Sequence, residues 1–285
     1  MTGAQRSSRV ANKKRVLVTG LSGVVGSAIR EQLESRYELS SLSRYGADGL
    51  PAQRNFKGNI NDLDSILPAF EGQDVVVHLA ADRSAKADWS SALKNNFVGT
   101  YNIYEAARLK GVKRVVYGSS QHAVGGFYLD EPARSIFAGK FDRVKRPYRL
   151  IDESAPIRPS GYYGVSKAYG EALGSYYSDY HGISSVNIRI GFTISTDDPG
   201  FSGGALALWL SHRDTAQIHV RAIDAPASLK YTVVFAMSDN YWKIFSLDKA
   251  KRELGYKPED DAGPSLNPNS KMAERDLTEY KVHPD

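Results

Sequence analysis

A glycine-rich turn between a strand pattern and a helix pattern is the feature that most constrains how this chain folds. Gly20, Gly23 and Gly26 follow a run of β-branched residues and open an amphipathic helical pattern. Glycines in this order permit a tight turn, a close approach to a pyrophosphate, and tight packing of helix on strand. The phosphates then lie on free N–H groups at the positive end of the helix. A glycine turn without a ligand is the alternative. We expect dinucleotide contacts from Gly20, Ser22, Gly23, Val24, Val25 and Gly26.

The rest of the chain alternates strand and helix patterns. Short apolar runs at residues 16–18, 74–79, 112–117 and 185–190 are separated by helical patterns, of which residues 92–109 form the longest. This alternation predicts an α/β Rossmann fold, a doubly wound parallel sheet with a small C-terminal substrate-binding portion. The predicted divisions are a tail (1–13), the dinucleotide-binding and catalytic region (14–190), the substrate-binding portion (191–258) and an extended tail (259–285).

The end of the second predicted strand indicates which dinucleotide is bound. An acidic residue there would bond the 2′-hydroxyl of NAD and repel a 2′-phosphate. This chain has Ser43 and Arg44 instead, and the planar donors of a guanidinium suit a phosphate. The sequence therefore favours NADP, with NAD left open. Alternatively, Arg44 stacks on adenine or faces solvent.

Tyr163 and Lys167 are the candidate acid–base pair. They stand four residues apart, so they share one face of a helix that continues through Glu171. A free tyrosine has a pKa near 10, too high for a base at neutral pH. We expect the Lys167 ammonium to lower that pKa, which would let Tyr163 accept a hydroxyl proton while hydride leaves the same carbon.

Hydroxyl and amide groups follow another predicted strand. Ser119 and Ser120 end this strand, and Gln121 and His122 come next. A serine hydroxyl at this edge of the sheet can hold the reacting oxygen toward Tyr163, and we choose Ser120 over Ser119. Gln121 and His122 are candidates for binding sugar hydroxyls, with a structural role for His122 left open. His78 lies inside an apolar run and is interpreted as a core histidine.

Composition excludes several classes of function. The chain has no cysteine, so a disulfide framework, thiolate catalysis and cysteine-ligated metals are excluded, and we predict no metal site. No apolar run approaches the roughly 20 residues needed to span a bilayer, and the basic start lacks the apolar segment of a secretory signal. The net charge of +5 is not grouped into a nucleic-acid-binding element. We therefore expect a cytoplasmic protein with a small-molecule partner and neither nucleic acid nor membrane.

One long stretch, residues 125–159, breaks the compact pattern. Loops of this length inside a domain are uncommon and tend to be functional or disordered. Its position just before Tyr163 favours a lid. Its basic residues are Arg134, Lys140, Arg143, Lys145, Arg146 and Arg149.

Together these motifs resemble the extended short-chain dehydrogenases/reductases, the NAD-dependent epimerase/dehydratase superfamily. The resemblance rests on T-G-L-S-G-V-V-G at 19–26, H-L-A-A at 78–81, the Asn95-Asn96 pair, the serine pair, the Tyr-Lys pair and the segment 246–258. It implies a homo-oligomer. It also implies further cofactor contacts from Asn59, Ile60, Leu79, Ala80, Ala81, Asn96, Ser119, Tyr163 and Lys167.

Within that superfamily the chain is most similar to uronate dehydrogenase and related sugar dehydrogenases. The segments S-S-Q-H at 119–122, R-I-G at 189–191, W-L-S-H-R-D at 209–214 and S-D-N at 238–240 carry this likeness. The likeness implies oxidation of a cyclic sugar (a uronate, an aldose or a sugar phosphate) at the anomeric carbon to a lactone. It assigns substrate contacts to Ser120, Gln121, His122, Tyr163 and Phe192.

The chain departs from uronate dehydrogenases at three places. Arg44 replaces an acidic residue, Phe192 stands where a small polar residue is expected, and the carboxylate-binding arginine near Gly204 is missing. Our hypothesis is that Arg143, Arg146 or Arg149 replaces that arginine; a solvated lid without ligand contact is the alternative. Two other functions stay open, a nucleotide-sugar epimerase or reductase and a catalytically silent NADP-binding protein.

Overall fold

A computed structural model describes residues 13–83 and 88–263. Over these residues seven parallel strands form one sheet in the order β3-β2-β1-β4-β5-β6-β7. The strands are β1 (Arg15–Thr19), β2 (Glu38–Ser43), β3 (Asn55–Lys57), β4 (Val75–His78), β5 (Arg114–Ser120), β6 (Ser184–Ile190) and β7 (Tyr231–Ala236). The predicted doubly wound sheet is confirmed.

Helices cover both faces of the sheet. The α-helices are α1 (Val24–Arg36), α2 (Leu63–Ile66), α3 (Trp89–Ser91), α4 (Gly99–Leu109), α5 (Ala133–Phe137), α6 (Tyr162–His181), α7 (Gly203–Leu208), α8 (His212–Ile223) and α9 (Asp248–Leu254). Successive side chains of a strand point to opposite faces, so each strand contributes to two cores. Val16 and Val18 pack with Ile29 of α1 and Ile218 of α8, while Leu17 packs with Ile103 of α4 on the other face.

The strand order reverses between β1 and β4. β1 pairs with β2 on one side and with β4 on the other, and the chain then continues outward through β5, β6 and β7. Open sheets of this kind bind ligands in the crevice beyond the carboxyl ends of the strands at the reversal. The glycine turn after β1 and the serine pair that ends β5 therefore lie at the same edge.

The predicted helix over residues 92–109 is not uniform. A π-helical turn, Ala92–Val98, precedes α4. Within it the buried Asn96 accepts a hydrogen bond from the Asp82 N–H at 2.7 Å and donates to the Asp82 carbonyl at 2.9 Å and to Ser166 Oγ at 3.1 Å. π-turns inside helices commonly mark functional positions. Here Asn96 of the turn connects the segment after β4 to α6, the helix that carries Tyr163.

The stretch of residues 125–159 is a packed part of the fold rather than an open loop. Tyr128 and Phe137 stack at 4.5 Å and join a third hydrophobic cluster with Phe235 of β7 and with Phe245. The Ile151 N–H also donates to the Ile244 carbonyl at 2.9 Å. The lid prediction overlooked these aromatic side chains, which bury the segment against the end of the sheet.

The sheet continues past the predicted division at Ile190, because β7 pairs with β6 along its whole length. Residues 1–12 and 264–285 of the predicted tails lie outside the described residues. The part of the C-terminal tail that is described is anchored. The N–H groups of Glu259 and Asp260 donate to the Asp214 carboxylate of α8 at 2.8 and 3.1 Å.

Candidate active site

Two adjoining cavities lie at the carboxyl edge of the sheet. One, of about 700 Å³, extends from the glycine turn to Tyr163, and the other, of about 610 Å³, extends from the same turn to Arg44. Gly20, Gly23, Ala80 and Ala81 line both. The predicted residues that line one or both cavities are Gly20, Ser22, Gly23, Val24, Val25, Gly26, Ser43, Arg44, Asn59, Ile60, Leu79, Ala80, Ala81, Ser119, Ser120, Gln121, His122, Tyr163 and Phe192.

Two predicted cofactor residues do not line either cavity. Asn96 is buried behind the wall, where its amide is used by Asp82 and Ser166. Lys167 is buried beneath Tyr163, and its Nζ donates to the Gly118 carbonyl at 2.7 Å. Any contact of these two side chains with a dinucleotide therefore stays a prediction.

The glycine turn fits a pyrophosphate. Gly20 has a φ of +77°, and a Cβ there would lie 2.9 Å from the Ala80 nitrogen. A Cβ on Gly26 would lie 2.5 Å from the Gly20 carbonyl oxygen, so the helix could not begin so close to the strand. Gly23 caps α1 without any side-chain hydrogen bond, and no acidic residue occupies the first turn. No carboxylate in the first turn of α1 therefore competes for the N–H groups at the start of this helix, an arrangement suited to a phosphate.

The opposite end of the second cavity holds Arg44. Its side chain is exposed, with Cζ lying 5.5 Å from the centre of the Tyr45 ring. The Ser43 hydroxyl accepts from the Gly46 N–H at 2.8 Å and donates to the Gly46 carbonyl at 2.9 Å, so it shapes the turn after β2. Among the described residues lining this cavity, Asp82 is the only acidic one, and it accepts a 2.5 Å hydrogen bond from Ser91.

Tyr163, Ser120 and Lys167 come together as predicted, but with different electrostatics. Burial raises the pKa of Tyr163 to about 12, while a hydrogen bond with Ser120 and the charge of Arg83 act to lower it. The predicted lowering by Lys167 is not found. Burial also lowers the pKa of Lys167, to about 7, and its Nζ lies over the Tyr163 ring, 5.3 Å from the ring centre, while donating to Gly118. Desolvation is therefore the largest influence on the pKa of both groups.

The two serines have separate partners. Ser119 Oγ donates to Glu171 Oε1 at 2.6 Å, and Arg189 donates to both oxygens of that carboxylate at 2.9 Å. Ser120 lines the cavity beside Tyr163 and accepts from the His122 N–H at 3.2 Å. This arrangement favours Ser120 as the hydroxyl that meets a substrate.

Gln121 and His122 form the polar wall next to Tyr163. Gln121 Oε1 is buried and has no hydrogen-bond partner among the described residues. An unpaired buried acceptor is costly, so a ligand hydroxyl at this position would relieve that cost. His122 Nδ1 lies 2.8 Å from Ser160 Oγ, and its ring meets that of Tyr163 edge-on at 5.7 Å.

His78 is a core histidine, as predicted. Its Nδ1 lies 2.8 Å from Thr19 Oγ1 and its Nε2 lies 3.3 Å from Thr100 Oγ1. Burial lowers its pKa to about 3, so the ring is neutral. The side chain links β1, β4 and α4 beneath the site.

The loop arginines do not line the cavity that contains Tyr163, which contradicts the hypothesis for Arg143, Arg146 and Arg149. Arg146 instead lies 3.9 Å from the centre of the Tyr241 ring and donates to the Tyr241 carbonyl at 2.5 Å. Arg149 lines a separate cavity. The aromatic anchoring of this stretch directs these side chains away from the sheet edge.

Sequence reasoning missed the arginine that does line the site. Arg83 follows β4 and lines the cavity of about 700 Å³ together with Tyr163. The only signal was its place four residues after the end of the apolar run, just beyond H-L-A-A. Segment 192–201 was missed as well, except Phe192; its Thr193, Ile194, Ser195 and Phe201 line the same cavity.

Within residues 13–83 and 88–263, no group of acidic residues and histidines could hold a metal ion. Over the same ranges no helix is long and apolar enough to cross a membrane.

Known proteins of similar sequence and structure include sugar dehydrogenases. NAD-dependent glucose-6-phosphate dehydrogenase of Haloferax volcanii is 36% identical, over 87% of this chain and 94% of that protein. L-arabinose 1-dehydrogenase (NAD(P)(+)) of the same organism is 34% identical, over 87% and 97%. The crystal structure of uronate dehydrogenase from Agrobacterium tumefaciens matches with a TM-score of 0.70 at 30% identity, over 95% and 91% of the two chains.

The family assignment rests on most of the sheet. Residues 16–217, from β1 through the first half of α8, match the NAD dependent epimerase/dehydratase family. That range includes the glycine turn, the serine pair, Tyr163 and Lys167. The resemblance predicted from the motifs is confirmed, and the chain belongs to the NAD-dependent epimerase/dehydratase family.

Proposed function

We propose that this protein is a sugar dehydrogenase that uses a nicotinamide dinucleotide, preferably NADP. It oxidises a cyclic sugar, whether a uronate, an aldose or a sugar phosphate, at the anomeric carbon to a lactone. The observation that supports this most is the single cavity in which Ser120, Gln121, His122 and Tyr163 lie beside the glycine turn. The names of similar proteins support oxidation of a sugar.

Each side chain has a distinct part in the proposed reaction. Ser120 and Tyr163 bond the anomeric hydroxyl and orient it, while Gln121 Oε1 accepts from a ring hydroxyl. The bound dinucleotide supplies the hydride acceptor. Tyr163 Oη takes the proton of the anomeric hydroxyl as the anomeric C–H bond breaks, so the carbon loses a hydride to the dinucleotide, the oxygen loses a proton, and the two atoms become the lactone carbonyl. Lys167, fixed by the Gly118 carbonyl, lies beneath the Tyr163 ring and places a positive charge there in its protonated form.

Burial disfavours the phenolate form of Tyr163, the proposed proton acceptor. Because desolvation raises the pKa of Tyr163 to about 12, its phenolate is scarce at neutral pH. The Ser120 hydroxyl and the Arg83 guanidinium favour the phenolate and oppose that burial. General-base catalysis of this kind contributes about 10²–10⁴-fold to rate.

The NADP preference is proposed from Arg44. This side chain directly follows β2 and lines the second cavity, at a position where a carboxylate would select against a 2′-phosphate. Its guanidinium can bond a phosphate through two donors. Similar proteins use NAD in one case and either dinucleotide in the other, by their names.

The experiment is a screen of uronates, aldoses and sugar phosphates with each dinucleotide, following reduced nicotinamide by absorbance and the product by mass. We expect lactone formation and a higher kcat/KM with NADP. An epimerase would instead convert the sugar without net reduction of the dinucleotide, and a silent binding protein would do neither.

Arg44→Asp is expected to reverse the cofactor preference, because it removes a phosphate contact and adds a repelling charge. One charge-assisted hydrogen bond is worth about tenfold to a hundredfold in kcat/KM. Arg252→Asp on α9, an exposed arginine that lines neither cavity, is the control. Equal use of both dinucleotides by the wild type would rule out the assignment of Arg44.

We also propose a homo-oligomer, which an aromatic surface supports. This surface consists of Trp89, Phe97, Tyr101, Tyr162 and Tyr169. Trp89 contacts Phe97 and Tyr162 at 5.5 and 5.6 Å, and Phe97 contacts Tyr169 at 5.0 Å. Trp89, Tyr101 and Tyr162 are about half exposed. Large apolar patches of this kind usually mark interfaces. The cytoplasmic location stays a prediction.

A further inference from the structure

We infer that Arg83 binds an anionic group of the sugar, so that sugars carrying a carboxylate or a phosphate are the preferred substrates. The inference deepens the proposed sugar oxidation and rests on it. Arg83 would then set the specificity of the same site rather than form a new one.

Arg83 is an exposed residue that lines the cavity, and the described residues that line it with Arg83 include no carboxylate. Among the described residues that line it, Arg83 is the only lysine, arginine, aspartate or glutamate. The other walls are either hydrogen-bonding groups such as Ser120 and Gln121 or apolar side chains such as Phe192 and Phe201. A neutral sugar needs only hydrogen bonds, which Ser120 and Gln121 already offer. A cation facing this cavity therefore points to a ligand with a negative charge.

The chain that carries Arg83 is fixed from below. Asn96 bonds both the N–H and the carbonyl of the preceding residue, Asp82, at 2.7 and 2.9 Å. The Asp82 carboxylate accepts a 2.5 Å hydrogen bond from Ser91 at the start of the π-turn. Arg83 thus leaves the carboxyl edge of β4 from an anchored position, which limits the entropy lost when its side chain binds a ligand.

Arg83 also lines the same cavity as Tyr163. Its positive charge acts on Tyr163 and favours the phenolate. A guanidinium that influences Tyr163 electrostatically and lines the same cavity can reach a substituent of a sugar whose anomeric hydroxyl lies at Tyr163. Its planar donors match a carboxylate or a phosphate through two parallel hydrogen bonds.

The test compares sugars that differ only at carbon 6. Glucuronate, glucose 6-phosphate and glucose share one ring, so the ratio of kcat/KM for each anionic sugar to that for glucose isolates the charge. In the wild type we expect this ratio to reach about tenfold to a hundredfold for at least one anion, the range of a charge-assisted hydrogen bond. Which anion is preferred distinguishes carboxylate from phosphate.

Arg83→Gln is expected to abolish that ratio, chiefly through a higher KM for the anionic sugar, and Arg83→Lys to retain part of it. A decrease in kcat shared by all three sugars reports the loss of positive charge near Tyr163, and it cancels in the ratio. Arg252→Gln is the control and should leave the ratio unchanged. An unchanged ratio in Arg83→Gln, a wild-type preference for glucose, or an increase in the KM for the dinucleotide alone would overturn the inference.

Failure of the proposed function would look different, because no sugar would then reduce the dinucleotide. Binding still decides the role of Arg83 in that case. Glucuronate and glucose 6-phosphate are titrated calorimetrically into Tyr163→Phe loaded with NADP. Binding that disappears in Tyr163→Phe/Arg83→Gln supports anion recognition by Arg83. Absence of binding, or equal binding to both variants, overturns it.

Discussion

At the scale of single residues, desolvation decides the charge states of the site. Lys167 is buried between the rings of Tyr117 and Tyr163, with Nζ 5.0 and 5.3 Å from the ring centres. Burial lowers its pKa to about 7, although Glu171 one turn further along α6 acts to raise it. At neutral pH the side chain is therefore divided between ammonium and amine.

Lys167 should make the free energy of unfolding increase with pH. In the folded state the side chain loses its proton near pH 7, whereas in the unfolded chain it holds the proton up to about 10.5. Between these values the unfolded state binds more protons, so the wild type gains stability relative to Lys167→Met, by at most about 1.4 kcal/mol per pH unit.

Urea unfolding of wild type and Lys167→Met at several pH values in this window measures the difference. Lys110→Met removes an exposed lysine that pairs with Glu71, and it is the control, with no such slope expected. A difference in the free energy of unfolding between wild type and Lys167→Met that does not change with pH would contradict a buried Lys167 with a lowered pKa.

At the scale of elements, a buried ion pair joins β6 to α6, the helix that carries Tyr163 and Lys167. Arg189 and Glu171 are each 4% exposed at the side chain, and the guanidinium bonds both carboxylate oxygens at 2.9 Å. Ser119 of β5 donates to the same carboxylate at 2.6 Å. The pair thus fixes α6 over β5, which carries Ser120, and over β6.

Removing one partner of this pair should be far more costly than removing both. Arg189→Met leaves the Glu171 charge buried and unpaired, and we expect a loss of about 3–5 kcal/mol in the free energy of unfolding. Arg189→Met/Glu171→Gln removes the stranded charge and should recover part of that loss.

The matched control for this prediction is the pair between Arg108 and Glu105 on α4, in which the Arg108 side chain is 39% exposed. Arg108→Met should cost less than about 1 kcal/mol, because solvent screens such a pair. Similar costs for Arg189→Met and Arg108→Met in urea unfolding would contradict a structural ion pair beneath the site.

At the scale of the whole molecule, the aromatic surface next to α4 and α6 predicts association. Tyr101→Glu places a charge on this surface and should convert the oligomer into monomers in sedimentation velocity, since burying an unpaired carboxylate is costly. Ile157→Glu changes an exposed apolar residue outside this surface and should leave association intact. A monomeric wild type would show that the surface serves another purpose.

Local patterns predicted much of the molecule. The strands β1, β2, β4, β5 and β6 and the glycine turn follow from short-range periodicity and from glycine geometry, and so does the placement of Tyr163 on a helix, whereas β3 was not predicted. The seventh strand and the packing of residues 125–159 depend on partners distant in sequence. Phe137, for example, is buried in a cluster that includes Phe235 and Phe245, which come from a distant part of the chain.

The same limit applies to the site. The sequence pointed to Ser120 through its place at a strand end and to Tyr163 through its spacing from Lys167, but the direction of a pKa shift depends on burial, which spacing does not reveal. Arg83 could not be distinguished from other surface arginines, and the loop arginines were more numerous but face elsewhere. The fold, and not the local sequence, determines which positively charged side chain lines a cavity.

The central claim is that Tyr163 accepts a proton while a sugar reduces the bound dinucleotide. The most direct measurement is the rate of dinucleotide reduction by wild type and Tyr163→Phe on the best sugar, with dinucleotide affinity measured in parallel. We predict lactone and reduced dinucleotide in equal amounts for the wild type. For Tyr163→Phe we predict unchanged dinucleotide affinity and a rate lower by about 10²–10⁴-fold. A near-wild-type rate in Tyr163→Phe, or no reduction of either dinucleotide with any sugar, would contradict the account.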